Sequence, residues 1–362
     1  MKVLILANND VGLYNFRREL IEKLIQERHE VYISLPKGER VEKMVKLGCE
    51  FLETKIDRRG TNPFKDFKLL LRYNKILNKI NPDIVLTYTI KPNIYGGIAC
   101  RKKKVHYICN ITGLGTATEN KGLIQKVILF LYKVALKNVR CCFVQNEENL
   151  KFLKENRLVD EEKYVLIPGS GVNLKHFKVL PYPEEKEKIK FLFISRIMKE
   201  KGIDEYIELA RYMTKKYKHV EFHILGFCEQ EYEEKLKQLQ EEEIVYYHGM
   251  QNDTIPFLKE CSCLIHPSYY PEGMSNVCLE ASASGRPVIT TNRSGCRETV
   301  EDGQTGYIIE PKNVDMLIQR VEQFIAMPKL QREEMGKKAR IKVEKEFDRN
   351  IVINAYLKEI KK

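Results

Sequence analysis

Short runs rich in β-branched, aromatic and leucine residues recur along the chain, each followed by a longer stretch whose apolar positions return every three or four residues. In the first half KVLILA, EVYISLP, CEFLET, DIVLTYT, VHYICNI and CCFVQ predict strands, and in the second half KFLFISR, EFHILGF, IVYYHGM, CLIHPS and PVITTN do the same. Strand-sized runs alternating with helical periodicity are the pattern of parallel α/β units. Between the halves, PYPEEKEKIK at 181–190 is charged and proline-bearing and reads as a linker. The expected organisation is a first domain over 1–180, a second over 181–345, and a C-terminal helix over 346–362 crossing back to the first. Two Rossmann-like, doubly wound α/β domains facing each other across a cleft follow, with ligands at the carboxyl ends of the strands. Residues just after each strand are therefore the first candidates for a site.

A chain of 362 residues suits about two domains, and its 43% apolar content can fill two cores. After Met1 the chain enters a strand-like KVLILA and then polar NND, which does not read as a leader peptide. No apolar run approaches the roughly 18 residues of a spanning helix. The ten cysteines lack zinc spacing, with Cys141 beside Cys142 and Cys261 one residue from Cys263, and they suit reduced, buried thiols of a cytoplasmic protein. Charge is divided unevenly: residues 1–180 hold 33 Lys and Arg against 19 Asp and Glu, whereas the rest hold 29 against 31. The first half is thus suited to something anionic, be it nucleic acid, anionic lipid or a phosphorylated small molecule.

Three segments carry candidate chemistry. ANNDVGLYNFRREL follows the first strand, and Gly12 there permits a turn and close approach of a ligand before a helix, or serves a plain strand-to-helix turn. It lacks G-x-G-x-x-G, which disfavours dinucleotide binding. RIMKEKG follows KFLFIS, so Arg196 and Lys201 straddle a helix start, an arrangement suited to a diphosphate. YPEGMSNVCLEASASGRPVIT, at 270–290, sets Glu272 and Glu280 eight residues apart. Two carboxylates acting on one glycosidic bond lie roughly 5 to 9.5 Å apart, whereas eight helical steps give about 12 Å. The segment reads instead as a loop that becomes a helix, with Ser275 or Asn276 as cap and Gly285 as stop. Glu272 precedes the helix, Glu280 lies inside it, and the free amides between them form an anion site. An ordinary amphipathic helix carrying glutamates is the plainer alternative.

SRIMKEKG, HPSYYPEGMSNVCLEASASGRPVITT and SGCRETVEDGQTGYII, in that order across 191–311, resemble the second domain of the family-four retaining glycosyltransferases of GT-B fold. More loosely, TYTIKPNIYGG and NITGLGT resemble members that build bacterial surface glycans on lipid carriers. The resemblance implies that Arg196 and Lys201 hold the diphosphate of a nucleotide-sugar donor, a UDP-sugar by analogy, and that Glu280 binds its ribose. Glu272 would hold hydroxyls of the transferred sugar, the amides of Gly273, Met274, Ser275 and Asn276 the sugar and phosphate, and Gly12 a loop closing over the phosphates. It implies a retaining hexosyl transfer with no metal and no cofactor, and no Asp-x-Asp stands in the chain to hold a metal. Arg196 and Lys201 would neutralise the leaving diphosphate instead. One departure concerns the fifth strand, where relatives place a histidine near sugar and acceptor and this chain reads ICNITGLG, with Asn110 and Thr112; His106 lies earlier and suits packing. Asn110, Thr112, Lys91 and Asn93 are the acceptor-side candidates.

KGLIQKVILFLYKVALKNVR, at 121–140, is apolar over more than one stripe and carries Lys126, Lys133, Lys137 and Arg140. Lysines on one face and Leu, Phe and Tyr on the other suit a helix lying on an anionic lipid surface; a buried domain helix would read similarly. RRGTNPFKDFKLLLRYNKILNK interleaves Phe64, Phe67 and Tyr73 with Arg58, Arg59, Lys65, Lys68 and Arg72, and no nucleic-acid motif accompanies it, so a lipid diphosphate is the better anion. The expected enzyme is a cytoplasmic protein, peripheral on the inner face of the cell membrane, that moves a sugar to a polyprenyl-diphosphate-linked saccharide in surface-glycan assembly. The alternatives are a sugar-nucleotide epimerase of the same fold, a transferase with a soluble acceptor, or a non-catalytic binder of RNA or lipid.

Overall fold

Alternation of apolar side chains sends successive residues to opposite faces of a strand, and this pattern is visible throughout the first sheet. The computed structural model describes residues 1–58, 60, 62–113, 122–184 and 188–362. Among them the chain divides into two units, Met1–Ser170 with Asn350–Lys362, and Gly171–Arg349. In the first unit β1 (Lys2–Leu6), β2 (Glu30–Leu35), β3 (Glu50–Glu53), β4 (Ile84–Tyr88), β5 (His106–Ile111), β6 (Cys141–Val144) and β7 (Tyr164–Leu166) form a parallel sheet in the order β3-β2-β1-β4-β5-β6-β7. Val3 and Ile5 face one core, shared with the helices Asp10–Gln26 and Arg349–Lys361, and Leu4 and Leu6 face the other, shared with Pro63–Ile80 and Leu123–Leu136.

The second unit repeats the plan with β8 (Ile189–Ile194), β9 (Val220–Leu225), β10 (Tyr246–Tyr247), β11 (Cys263–His266), β12 (Val288–Thr291) and β13 (Gly306–Ile309), in the parallel order β10-β9-β8-β11-β12-β13. The strand order reverses between β1 and β4 in one sheet and between β8 and β11 in the other. At such a switch point neighbouring loops leave in opposite directions and open a crevice at the strand ends. Gly12 and Lys91 follow the first pair, and Arg196, Lys201 and Glu272 follow the second.

Two readings of the pattern are corrected. The expected boundary at 180 moves to Ser170, because 171–184 packs on the second unit. Val172, Phe177 and Leu180 join its core, the Leu180 amide donates to Ser284 O at 3.2 Å, and Pro181 O accepts from Arg286 Nη2 at 2.6 Å. Part of the expected linker, 185–187, lies outside the described residues. The helix 123–136 buries Tyr132, Ala135 and Leu136, while Leu123, Ile124, Val127 and Phe130 share its exposed side with Lys126, Lys133 and Lys137. Lysines and apolar residues thus lie together on the outer face rather than on opposite faces, because the sheet already takes Tyr132 and Leu136. Lys121 and Arg59 lie outside the described residues, and no described helix is long and apolar enough to cross a membrane.

Candidate active site

The loop after β8 meets the loop after β11 at Gly202. Its φ of +80° suits glycine, and a Cβ there would stand 2.3 Å from Pro267 O. This close approach seats Lys201, at the end of a short 3-10 turn, beside Glu272. The Lys201 ammonium bonds Glu272 Oε1, and both side chains are largely buried, at 9% and 14% exposure. Ser268 Oγ donates to the same oxygen at 3.3 Å, and His266 Nε2 stands 3.6 Å from it. Burial pushes the Glu272 carboxyl up, but the Lys201 charge and then His266 outweigh it and hold it well below the usual carboxylate range. Burial, helped by Lys201 and opposed by Glu272, lowers the pKa of His266 and keeps its imidazole neutral.

Arg196 lies across the same crevice mouth. Its Nη1 bonds Glu229 Oε2 at 2.5 Å, and its guanidinium stands 5.3 Å from the Tyr270 ring centre. Lys201 Nζ stands 4.9 Å from the same ring, so Tyr270 lies against both cations. His266, Glu272 and Cys296 offer ligand atoms within 4.8 Å of one another, a grouping of metal-binding size. The Lys201 ammonium bonded to Glu272 already supplies that cluster with a positive charge.

Glu272 precedes the helix Asn276–Ala283, and Glu280 lies in its second turn. Burial pushes the half-buried Glu280 carboxyl up to about 7, with Arg349 opposing. That carboxylate has no hydrogen-bond or ion-pair partner among the described residues. The Ser275 amide donates to Gly295 O at 2.7 Å, and Ser275 Oγ to Cys278 Sγ at 3.2 Å, so the expected anion-binding role of Ser275 and its side-chain cap both fall away. The chain crosses itself tightly here: Gly295 has φ +89°, and a Cβ on it would stand 3.0 Å from Gly273 O. Met274 is buried in the core beneath, leaving its amide as its contribution to a ligand. Asn276 Oδ1 is buried without a hydrogen-bond partner among the described residues.

In the first unit the candidates stand differently from expectation. Gly12 lies inside the first turn of its helix, with its amide donated to Asn9 Oδ1 at 2.6 Å, so it forms no loose loop before the helix. Asn110 is 1% exposed: its Nδ2 donates to the Tyr356 hydroxyl, and its Oδ1 accepts from Gln145 at 3.3 Å. Asn93 Nδ2 donates to Asn110 O at 2.9 Å. Asn110 and Asn93 therefore hold the C-terminal helix and the switch-point turn together, and they are corrected from acceptor groups to structural ones. Lys91 is paired with Asp66 at 2.6 Å, and half-buried Thr112 follows β5. Beside them Glu53, Lys55, Ile56, Asp57, Lys65, Asp66, Lys68, Leu69 and Arg72 line a groove of about 840 Å³. Sequence reading missed Glu229, Tyr270, His266 and Ser268; the signal was their position, since His266, Ser268 and Tyr270 close or follow β11 at the switch point and Glu229 follows β9, the neighbour of β8.

The description "Glycosyl transferase 4-like" fits residues 2–146, and "Glycosyl transferases group 1" fits residues 173–342. The N,N'-diacetylbacillosaminyl-diphospho-undecaprenol alpha-1,3-N-acetylgalactosaminyltransferase of Campylobacter jejuni is 27% identical, over 99% of this chain and 98% of its own. The UDP-Gal:alpha-D-GlcNAc-diphosphoundecaprenol alpha-1,3-galactosyltransferase of Escherichia coli is 28% identical over 72% and 70%. A crystal structure of a glycosyltransferase from Rickettsia africae superposes with a TM-score of 0.79 over 99% of this chain and 97% of that one, at 20% identity. With both units matched, one by each description, the chain belongs to the group 1 and 4-like glycosyltransferases of GT-B fold.

Proposed function

We propose that this glycosyltransferase moves a hexosyl unit from a UDP-sugar to a saccharide on a polyprenyl diphosphate, with retention of configuration and without a metal. The observation that carries the donor side is the Arg196, Lys201 and Tyr270 group beside Glu272 at the second switch point. Two cations there can bond the diphosphate and stabilise the charge that grows on it as the glycosidic bond breaks. Glu272, kept ionised, accepts hydrogen bonds from sugar hydroxyls. Glu280 accepts from the ribose, and the amides of Met274 and Asn276 at the helix start bond phosphate or sugar. Gly273 shapes that turn.

The acceptor is inferred from the names of the Campylobacter and Escherichia relatives, both of which specify undecaprenyl-diphosphate carriers and α-1,3 linkages. UDP-hexoses of this kind are α-linked, so an α product means retention. In the groove of the first unit, Lys55 and Lys68 have no ion-pair partner among the described residues and suit an acceptor diphosphate. Leu123, Ile124, Val127 and Phe130, exposed beside Lys126, Lys133 and Lys137, fit an anionic bilayer surface, which supports a peripheral place on the inner face of the membrane.

Incubation with a panel of UDP-sugars and a polyprenyl-diphosphate disaccharide, followed by NMR of the product's anomeric proton, tests this. An α-linked trisaccharide is expected. Donor turnover with no acceptor present would instead identify an epimerase, and transfer to the free disaccharide alone would remove the lipid from the reading.

A further inference from the structure

His266 is 1% exposed, and neither ring nitrogen has a hydrogen-bond partner among the described residues. Buried polar atoms of that kind are rare, since each forfeits its hydrogen bond to water without replacement. The ring closes β11, and its backbone is fixed by Thr290 Oγ1, which donates to His266 O at 2.8 Å. Its Nε2 faces the Glu272 oxygen from 3.6 Å, just beyond the range of about 2.7 to 3.2 Å in which an N–H bonds an oxygen. That oxygen is the one that Lys201 bonds. The other titratable groups facing this space are Cys296 from the segment after β12 and Cys278 from the helix 276–283, both buried thiols held protonated by burial, and the Ser268 hydroxyl completes the surround.

Lys201 cannot give its full attention to a diphosphate while it bonds Glu272. If it turns to the donor, Glu272 loses a charge-assisted hydrogen bond in a buried place, which is costly unless another donor closes in. We propose that His266 is a positioning residue that takes over the Glu272 carboxylate from Lys201 when Lys201 bonds the donor's diphosphate. A neutral imidazole with its proton on Nε2 has the required donor, and a shift of about 0.5 Å brings the pair into bonding range. No proton is transferred: one N–H···O bond replaces another. The exchange keeps Glu272 ionised and aimed at the sugar while its cation works elsewhere. The inference rests on the assignment of Lys201 to the diphosphate.

The test compares the parent protein with His266→Leu, which keeps the bulk and loses the donor, and His266→Gln, which restores an N–H near the Nε2 position. Calorimetry first identifies which of UDP, GDP, ADP and dTDP the parent binds, and then compares that diphosphate with its monophosphate. Expected is a diphosphate at least about tenfold weaker for the leucine variant, the loss of roughly one hydrogen bond to a charged carboxylate, with the monophosphate unchanged and glutamine within about threefold of the parent. In the parent, the His266 ring nitrogen resonances should move when the diphosphate is added and stay when the monophosphate is added. This arm holds even if the leucine variant does not fold. Unmoved ring signals, equal weakening of both nucleotides, or no recovery with glutamine would overturn the role of His266. A parent that binds none of the four diphosphates defeats the diphosphate assignment itself, whereas normal binding with an indifferent His266 defeats this inference alone.

Discussion

Replacing Glu280 by glutamine should stabilise the protein at alkaline pH. In the folded second unit burial raises this carboxyl from an ordinary 4.5 to about 7. Between those values the folded state binds the proton that the unfolded chain has released, so stability falls as pH rises through the window and stays low above it. The shift of about 2.5 units corresponds to a ceiling of about 3 kcal/mol at pH 8. Glu280 is half-buried, and solvent screening reduces this to roughly 1 to 2 kcal/mol. For a unit of this size each kcal/mol moves the melting temperature by about 2 to 4 °C. Glutamine has no charge to desolvate, so Glu280→Gln should melt roughly 2 to 8 °C above the parent at pH 8 and coincide with it near pH 4, where the parent carboxyl is protonated in both states. Differential scanning fluorimetry across that range, in matched ionic strength, makes the measurement. Melting curves that differ by the same amount at every pH would refute the assigned cause, and a parent more stable than the variant at pH 8 would show that an unrecognised cation holds Glu280 ionised. If Glu280 also meets the ribose, donor affinity should weaken at pH 8 even as the variant's stability rises, the opposing signs of a binding residue that the fold tolerates at a cost.

The other predictions address the site and the surface. Glu272→Gln should lower turnover at least a hundredfold, within the range seen when a preorganised electrostatic group is removed, and should also lower the melting temperature, since it leaves the buried Lys201 charge without its carboxylate; near-normal steady-state rates would remove Glu272 from the mechanism. Arg196→Ala should weaken nucleoside diphosphate binding by about 1.5 to 3 kcal/mol, at least tenfold, in calorimetry; a change in sugar preference with unaltered diphosphate affinity would contradict its role. Transfer should continue undiminished in excess EDTA, and an enzyme silenced by EDTA and restored by magnesium would contradict the assignment of the positive charge to Arg196 and Lys201. Changing Lys126, Lys133 and Lys137 together to Glu should release the protein from anionic liposomes in flotation, because each surface cation contributes about 1 kcal/mol there. Equal flotation of both proteins would leave the helix 123–136 without a lipid role.

Parallel α/β layering could be read from the chain because buried strands on both faces demand unbroken apolar runs. Two strands escaped: β7, with three residues, and β13, which opens on Gly306. The donor-side candidates followed from one topological rule, that loops after strands at a switch point meet. What those loops do with their charges was not legible, since Arg196 meets Glu229 from 33 residues away and Lys201 meets Glu272 from 71. No local pattern encodes such pairings. Asn110 misled for the same reason. At a strand end its amide looks available, but Tyr356, 246 residues further on, brings the C-terminal helix over it. The tyrosine ring packs 4.4 Å from Phe143, so the same side chain fills the core and satisfies the amide.

Both cations assigned to the diphosphate carry a carboxylate in this structure, Arg196 through Glu229 and Lys201 through Glu272. A buried cation without a partner would cost several kcal/mol, so the fold can keep Lys201 charged inside the crevice only by giving it an anion. A diphosphate then binds by exchange rather than by simple addition, and its net gain is the difference between its own bonds and those that it replaces. The two exchanges differ in consequence. Arg196 is 33% exposed against 9% for Lys201, and its planar guanidinium has several N–H donors, so it can bond a diphosphate while still holding Glu229. Glu272 cannot leave its buried seat, and with the His266 N–H in place of the Lys201 ammonium it keeps a hydrogen bond but loses its adjacent cation, so it becomes the strongest acceptor in the pocket at the moment a sugar with free hydroxyls arrives. Diphosphate and sugar recognition are thereby coupled through one lysine. A nucleoside diphosphate without its sugar should bind less tightly than the sum of its contacts implies, because it releases Glu272 and offers that carboxylate no hydroxyl in return.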